Sequence, residues 1–185
     1  MAVQTPAQVS VEEFEKIAAL PENAYKRLEY IGGAIVEVVS NSDSSEIAMR
    51  LGAEIRLYLK TNDLGRLTGA DGGYRVSGED YIPDVGFISK ARQPKRPHVA
   101  WNPLAPDLAV EVVSPTDEAT EIADKVANYT LAGTLLWFFF PSKQQVKVYA
   151  PGKPVKTLGI NDTLDGGKIL PGFKVALKDI FLSDE

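Results

Sequence analysis

The segment Asp107-Leu-Ala-Val-Glu-Val-Val113 constrains this chain most. Its apolar, largely β-branched run reads as a strand. Side chains alternate faces along a strand, so Leu108, Val110 and Val112 share one face and Ala109, Glu111 and Val113 the other. A carboxylate in such a run is expensive to bury unless it is paired or binds a metal. Glu111 therefore demands either a lysine or arginine partner or a cation. Asp84, in Ile82-Pro-Asp-Val85, raises the same question at the head of another apolar strand, Pro83 to Ile88. Its plainer role is a turn or cap after Pro83. On neighbouring strands the two carboxylates suit a shared divalent cation.

Composition narrows the chemistry. The 185 residues include no cysteine and one histidine, His98. Disulfides, thiolate metal sites, cysteine nucleophiles and histidine-rich metal sites are excluded. Any divalent ion must rest mainly on oxygen ligands, which favours Mg²⁺, Mn²⁺ or Ca²⁺. The length fits one domain spanning residues 1–185. The net charge is −5, so the chain lacks the overall basic footprint of a nucleic-acid binder. One dense basic segment stands out: Lys90, Arg92, Lys95 and Arg96. It follows the Asp84 strand, and reads either as a phosphate-backbone contact or as a solvated proline-rich loop. The longest apolar run, Leu135 to Pro141, is far short of the roughly 20 residues of a membrane span. The first residues lack a signal-peptide layout, so a cytoplasmic protein with no membrane partner is expected.

Ser10 and Glu13 form a capping-box pattern opening a helix that ends near Leu20-Pro21. A hairpin is expected around Gly32-Gly33, joining Leu28–Tyr30 to Ala34–Val39. A helix spans about Ser45 to Lys60. Gly69-Ala-Asp-Gly-Gly73 reads as a hairpin turn between Leu67-Thr68 and Tyr74–Val76. Thr116 to Leu131 is helical, Leu135–Phe140 and Val146–Tyr149 form a hairpin, and Lys174 to Phe181 ends the chain as a short helix. Mixed strand and helix order favours an α/β or α+β fold.

Helical phase adds two candidates. On the first long helix, Ile47, Leu51, Ile55 and Tyr58 form an apolar face, with Glu54 about 20° from Ile47 at its edge. Glu54 is either a third acid aimed at the site or an edge residue reaching water. On the second helix, Lys125 lies about 40° from Tyr129, at the rim of the face made with Ile122 and Val126. It either reaches the sheet or is solvated.

Four pieces together carry a family likeness: Thr68-Gly-Ala-Asp-Gly-Gly-Tyr74, Tyr81-Ile-Pro-Asp-Val85, Pro106 to Thr116, and the run from Lys125 through Tyr129 to Ala132-Gly133. From about Val11 to Phe181 the chain resembles the cyanobacterial restriction-endonuclease-like family of the PD-(D/E)XK nuclease superfamily. The resemblance implies an α/β restriction-endonuclease-like core: a mixed central sheet flanked by helices, here with N- and C-terminal hairpin additions. It implies a Mg²⁺-dependent (or Mn²⁺-dependent) endonuclease acting on DNA, with Asp84 and Glu111 as metal ligands. The alternative is an inactive module that kept the fold for nucleic-acid binding or interaction. Such nucleases often act as dimers, so a homodimer is a further expectation. The (D/E)XK triplet reads Glu111-Val112-Val113, with valine where lysine belongs. The resemblance places the missing lysine on the next helix, as Lys125, and adds Glu54 as a supporting glutamate.

Overall fold

The computed structural model describes residues 9–38, 41–115 and 117–181. The expected hairpin end at Val39, the expected helix start at Thr116 and the segment 1–8 lie outside them.

A six-stranded mixed sheet forms the centre. It comprises β3 (Gly65–Thr68), β6 (Val85–Ser89), β8 (Leu108–Val112), β9 (Leu135–Phe140), β10 (Gln145–Tyr149) and β11 (Lys156–Gly159), in spatial order β11-β10-β9-β8-β6-β3. Its one parallel pair is β8 with β9. Parallel neighbours need a crossover, and α3 (Ala119–Leu131) supplies it. One face carries Leu108, Val110, Trp137 and Phe139. It packs against Ile47, Leu51 and Ile55 of α2 (Ser42–Thr61) and against the C-terminal residues. The other face carries Ala109, Leu136 and Phe138, and meets Tyr129 of α3.

A second sheet covers part of that other face. It consists of β1 (Leu28–Ile31), β2 (Ala34–Glu37), β4 (Gly73–Val76), β5 (Glu79–Tyr81) and β7 (Trp101–Asn102), in order β2-β1-β5-β4-β7. The expected N-terminal hairpin is present: Gly32 and Gly33 take φ of 58° and 86°, which only glycine adopts freely. It is one edge of a larger sheet rather than an appendage. α1 (Val11–Ala18) opens with the reciprocal Ser10–Glu13 box.

Two expectations fail. Gly69–Gly73 is not a hairpin turn, because β3 pairs with β6 in one sheet and β4 pairs with β5 in the other. The glycines carry the chain between sheets. The C-terminal segment does not begin as a helix. Val175 pairs with Leu164 in a hairpin of β12 (Thr163–Asp165) and β13 (Lys174–Ala176), followed by one 3-10 turn at Leu177–Asp179. Alternation of exposed Lys174 with buried Val175 suits a strand. Among the described residues, no helix is long and apolar enough to cross a membrane.

Candidate active site

Antiparallel pairing sets Val85 opposite Val110 and Gly86 opposite Ala109. Continued by one residue, that register puts Asp84 opposite Glu111, on the face that meets α3. Cβ atoms of such a pair lie ~4.5–5.5 Å apart. Asp84 Oδ2 accepts the backbone N–H of Val112 at 2.8 Å, and no described residue bonds its other oxygen. Burial raises the Asp84 carboxyl to about 6, against the pull of that N–H and of the Lys125 and Arg27 charges.

Glu111 is buried and both its oxygens are engaged. Tyr129 Oη donates to Oε1 at 2.9 Å, and Lys125 Nζ lies 3.1 Å from Oε2. The same ammonium lies 2.8 Å from Oε2 of Glu29, a β1 residue that is only 1% exposed. Glu29 Oε1 in turn accepts the Ile82 N–H at 2.6 Å, tying β1 to the Asp84 segment. Burial pushes Glu111 up; burial alone would push Lys125 down, yet the two carboxylates hold it above the ordinary lysine range. Lys125 is a fixed cation.

A cavity of about 230 Å³ opens beside these groups. Its lining includes seven acids (Glu29, Glu37, Asp84, Glu111, Asp117, Glu118 and Glu121) and one cation, Lys125.

Residues 11–178 match the Uma2 family, described as "Putative restriction endonuclease". The chain belongs to the Uma2 family. A search of curated proteins finds no significant match. A crystal structure from the cyanobacterium Anabaena variabilis ATCC 29413, described as a putative nuclease belonging to DUF820, aligns with a TM-score of 0.81. The alignment covers 94% of this chain and 97% of that one at 22% identity, and so shows a shared fold.

Within the Uma2 chain, Asp84, Glu111 and Lys125 converge, whereas Glu54 does not. It is exposed and does not line the cavity. Ala48 and Leu59 are buried along with Ile47, Leu51 and Ile55, which turns the buried arc of α2 about 85° away from Glu54. The flank of α2 beside Asp84 is instead that of Ala48, Gly52 and Arg56. Lys90 and Arg92 of the basic segment are also elsewhere, whereas Arg96 lines a cavity with Leu67 and Thr68. Lys90 follows β6 at the end opposite Asp84, six residues and ~20 Å along the strand. Lys90 pairs with Asp63, and Arg92 with Asp107 at 2.9 Å.

Sequence reasoning missed Glu29. Its signal was the same as that of Glu111, a carboxylate inside an apolar strand, Leu28-Glu-Tyr-Ile31. Tyr129 was visible only as a core aromatic.

Among the described residues, no three His, Asp or Glu side chains are grouped so as to hold one ion. Mg²⁺ requires less, since it keeps several waters and takes one or two carboxylates. Asp84 offers its unbonded oxygen and Glu111 its remaining lone pairs, so the donor set fits a hydrated hard cation.

Proposed function

We propose that this Uma2 protein is a divalent-metal-dependent endonuclease that hydrolyses DNA phosphodiester bonds, with Asp84 and Glu111 as the Mg²⁺ or Mn²⁺ ligands. The observation that carries this reading is Asp84 facing Glu111 beside a lysine clamped between Glu111 and Glu29. The acidic lining supports it, because an anionic phosphate does not enter such a cavity unless cations offset the carboxylates. A bound divalent ion polarises the phosphate and lowers the pKa of its water. The protein's own groups divide the remaining work. Asp84 and Glu111 present oxygens from two rigid strands. Lys125 stays protonated, so it stabilises charge building on the phosphoryl oxygens rather than accepting the water's proton. Glu29 and Tyr129 fix the positions of Lys125 and Glu111.

The test is calorimetric Mn²⁺ titration alongside plasmid cleavage. Asp84→Asn and Glu111→Gln lose both, with circular dichroism unchanged. Undiminished Mn²⁺ binding in both variants refutes the reading. The Lys125 ammonium and the Tyr129 hydroxyl, which engage both oxygens of Glu111, favour a second reading, a nucleic-acid-binding or interaction module that does not cut. DNA binding with no cleavage in Mg²⁺ or Mn²⁺ decides for it.

A further inference from the structure

Next to the acidic cavity lies a cleft of about 320 Å³ that shares Asp84 with it. Its character is opposite. Arg27 and Arg56 line it, over a floor of small residues that includes Gly52, Gly69 and Ala70. No Cβ-contacting atom lies within 4 Å at Gly69, so backbone there is open to a ligand. Arg27 donates only to the carbonyl of Ala70, at 3.4 Å, and neither arginine has an acidic partner among the described residues. Two residues before Arg27 stands Tyr25, 99% exposed. Lys26, between them, is also exposed but lines a different cavity, together with Glu15 and Asp71. Two residues of chain span at most ~7 Å, so the Tyr25 backbone stands within that distance of Arg27 at the cleft. A fully exposed aromatic gains nothing from the fold. Two arginines without an ion-pair partner among the described residues, on an acidic protein and next in the chain to an exposed aromatic, mark a surface for a polyanion with stackable groups.

We propose that Tyr25, Arg27 and Arg56 form a platform for an unpaired stretch of DNA leading to Asp84, with Tyr25 stacking on a base and the two arginines holding the flanking phosphates. The proposal rests on the DNA-cleavage reading above and specifies its substrate as single-stranded, frayed or branched DNA. Base-on-aromatic stacking with a cationic track is how unpaired strands are held without sequence readout. In an intact duplex both faces of an internal base are already stacked, so Tyr25 offers it nothing.

The experiment is fluorescence anisotropy of the full chain in Ca²⁺, comparing a labelled oligothymidylate with a duplex of equal length. Tyr25→Ala and the double variant Arg27→Ala with Arg56→Ala are measured beside the wild type, and plasmid and single-strand cleavage in Mn²⁺ are followed in parallel. The wild type binds the single strand more tightly than the duplex. Tyr25→Ala weakens single-strand binding about tenfold, and Tyr25→Phe does not. The double arginine variant flattens the dependence of log K on log salt by roughly 1.4, about 0.7 per lost phosphate contact. Tyr25 carries no packing, so its variants retain the wild-type melting temperature. Duplex preference, or unchanged single-strand affinity in Tyr25→Ala, overturns the platform while DNA cleavage stands. Wild-type protein that neither binds nor cuts any DNA overturns the cleavage reading and the platform with it.

Discussion

Replacing Lys125 with methionine tests the clamp as a structural element, apart from any activity. The lysine side chain is 13% exposed and lies between carboxylates 1% and 8% exposed. Removing the shared cation leaves two buried like charges unopposed. Breaking a buried pair from one side costs ~3–5 kcal/mol. The carboxylates have an escape, which is to bind protons. Their folded pKa values then rise above the unfolded value of about 4.3, so the native state holds more protons than the unfolded one in the window above it. Stability in that window falls as pH rises, by up to ~1.4 kcal/mol per unit for each proton taken up. In wild type, Lys125 is held above the ordinary lysine range, so its contribution is intact throughout pH 5 to 8 and is lost only at higher pH. The difference between wild type and Lys125→Met therefore grows from ~1 kcal/mol near pH 5 to ~3–5 kcal/mol near pH 8. Urea unfolding at several pH values measures it. A triple variant, Lys125→Met with Glu29→Gln and Glu111→Gln, removes all three charges. Both amides retain an acceptor for the Ile82 N–H and the Tyr129 hydroxyl, so most of the lost stability returns. A loss below ~1 kcal/mol at pH 8, a loss independent of pH, or a triple variant no better than the single refutes the reasoning.

Three further outcomes follow from the same geometry. Because burial raises Asp84 to about 6 and pushes Glu111 up as well, protons compete with the metal as pH falls, and the calorimetric Kd for Mn²⁺ at pH 5 is at least about tenfold weaker than at pH 7; a Kd constant between the two contradicts the site. Gly86→Ala puts a Cβ 2.6 Å from the Tyr74 ring, which Thr68 holds at 2.9 Å, so urea unfolding records a loss of ~1–3 kcal/mol. Glu54→Gln leaves the Mn²⁺ affinity unchanged and shifts stability by less than ~0.5 kcal/mol, as an exposed side chain should.

What the sequence disclosed depended on period. The alternation in Leu108 to Val113 assigned each side chain to the face it occupies, because a strand's two-residue repeat leaves no intermediate positions. The helix gave less. Glu54 lay within about 20° of Ile47, but a helix has no sharp boundary between faces, and burial of Ala48 and Leu59 moved the centre of the buried arc. Sheet membership was not readable either. Leu67-Thr68 and Tyr74–Val76 flank a glycine-rich turn as hairpin strands do, yet their partners come from distant segments, β6 and β5. Lys90 misled by adjacency: directly following a strand in sequence means lying at its far end in space.

On the proposed reading, in which Lys125 stands in for the absent triplet lysine, its place on the helix follows from topology. Val113 shares the face of Glu111 and packs among apolar neighbours there. A lysine at that position would approach Glu111 along the strand. The chain has another approach, because β8 and β9 are parallel and must be joined by a crossover, and α3 lies over the face into which Glu111 projects. Residues four apart on a helix stand on one side of it. Lys125 and Tyr129 are such a pair, and they reach separate oxygens of the one carboxylate, Oε2 and Oε1. Placing the cation on the helix also brings it within 2.8 Å of Glu29 on β1, which no strand-borne side chain at Val113 is arranged to share. The helix thus delivers the charge together with a hydroxyl that orients Glu111, and Glu29 holds the ammonium from the other side. A lysine in the strand would supply the charge without either restraint.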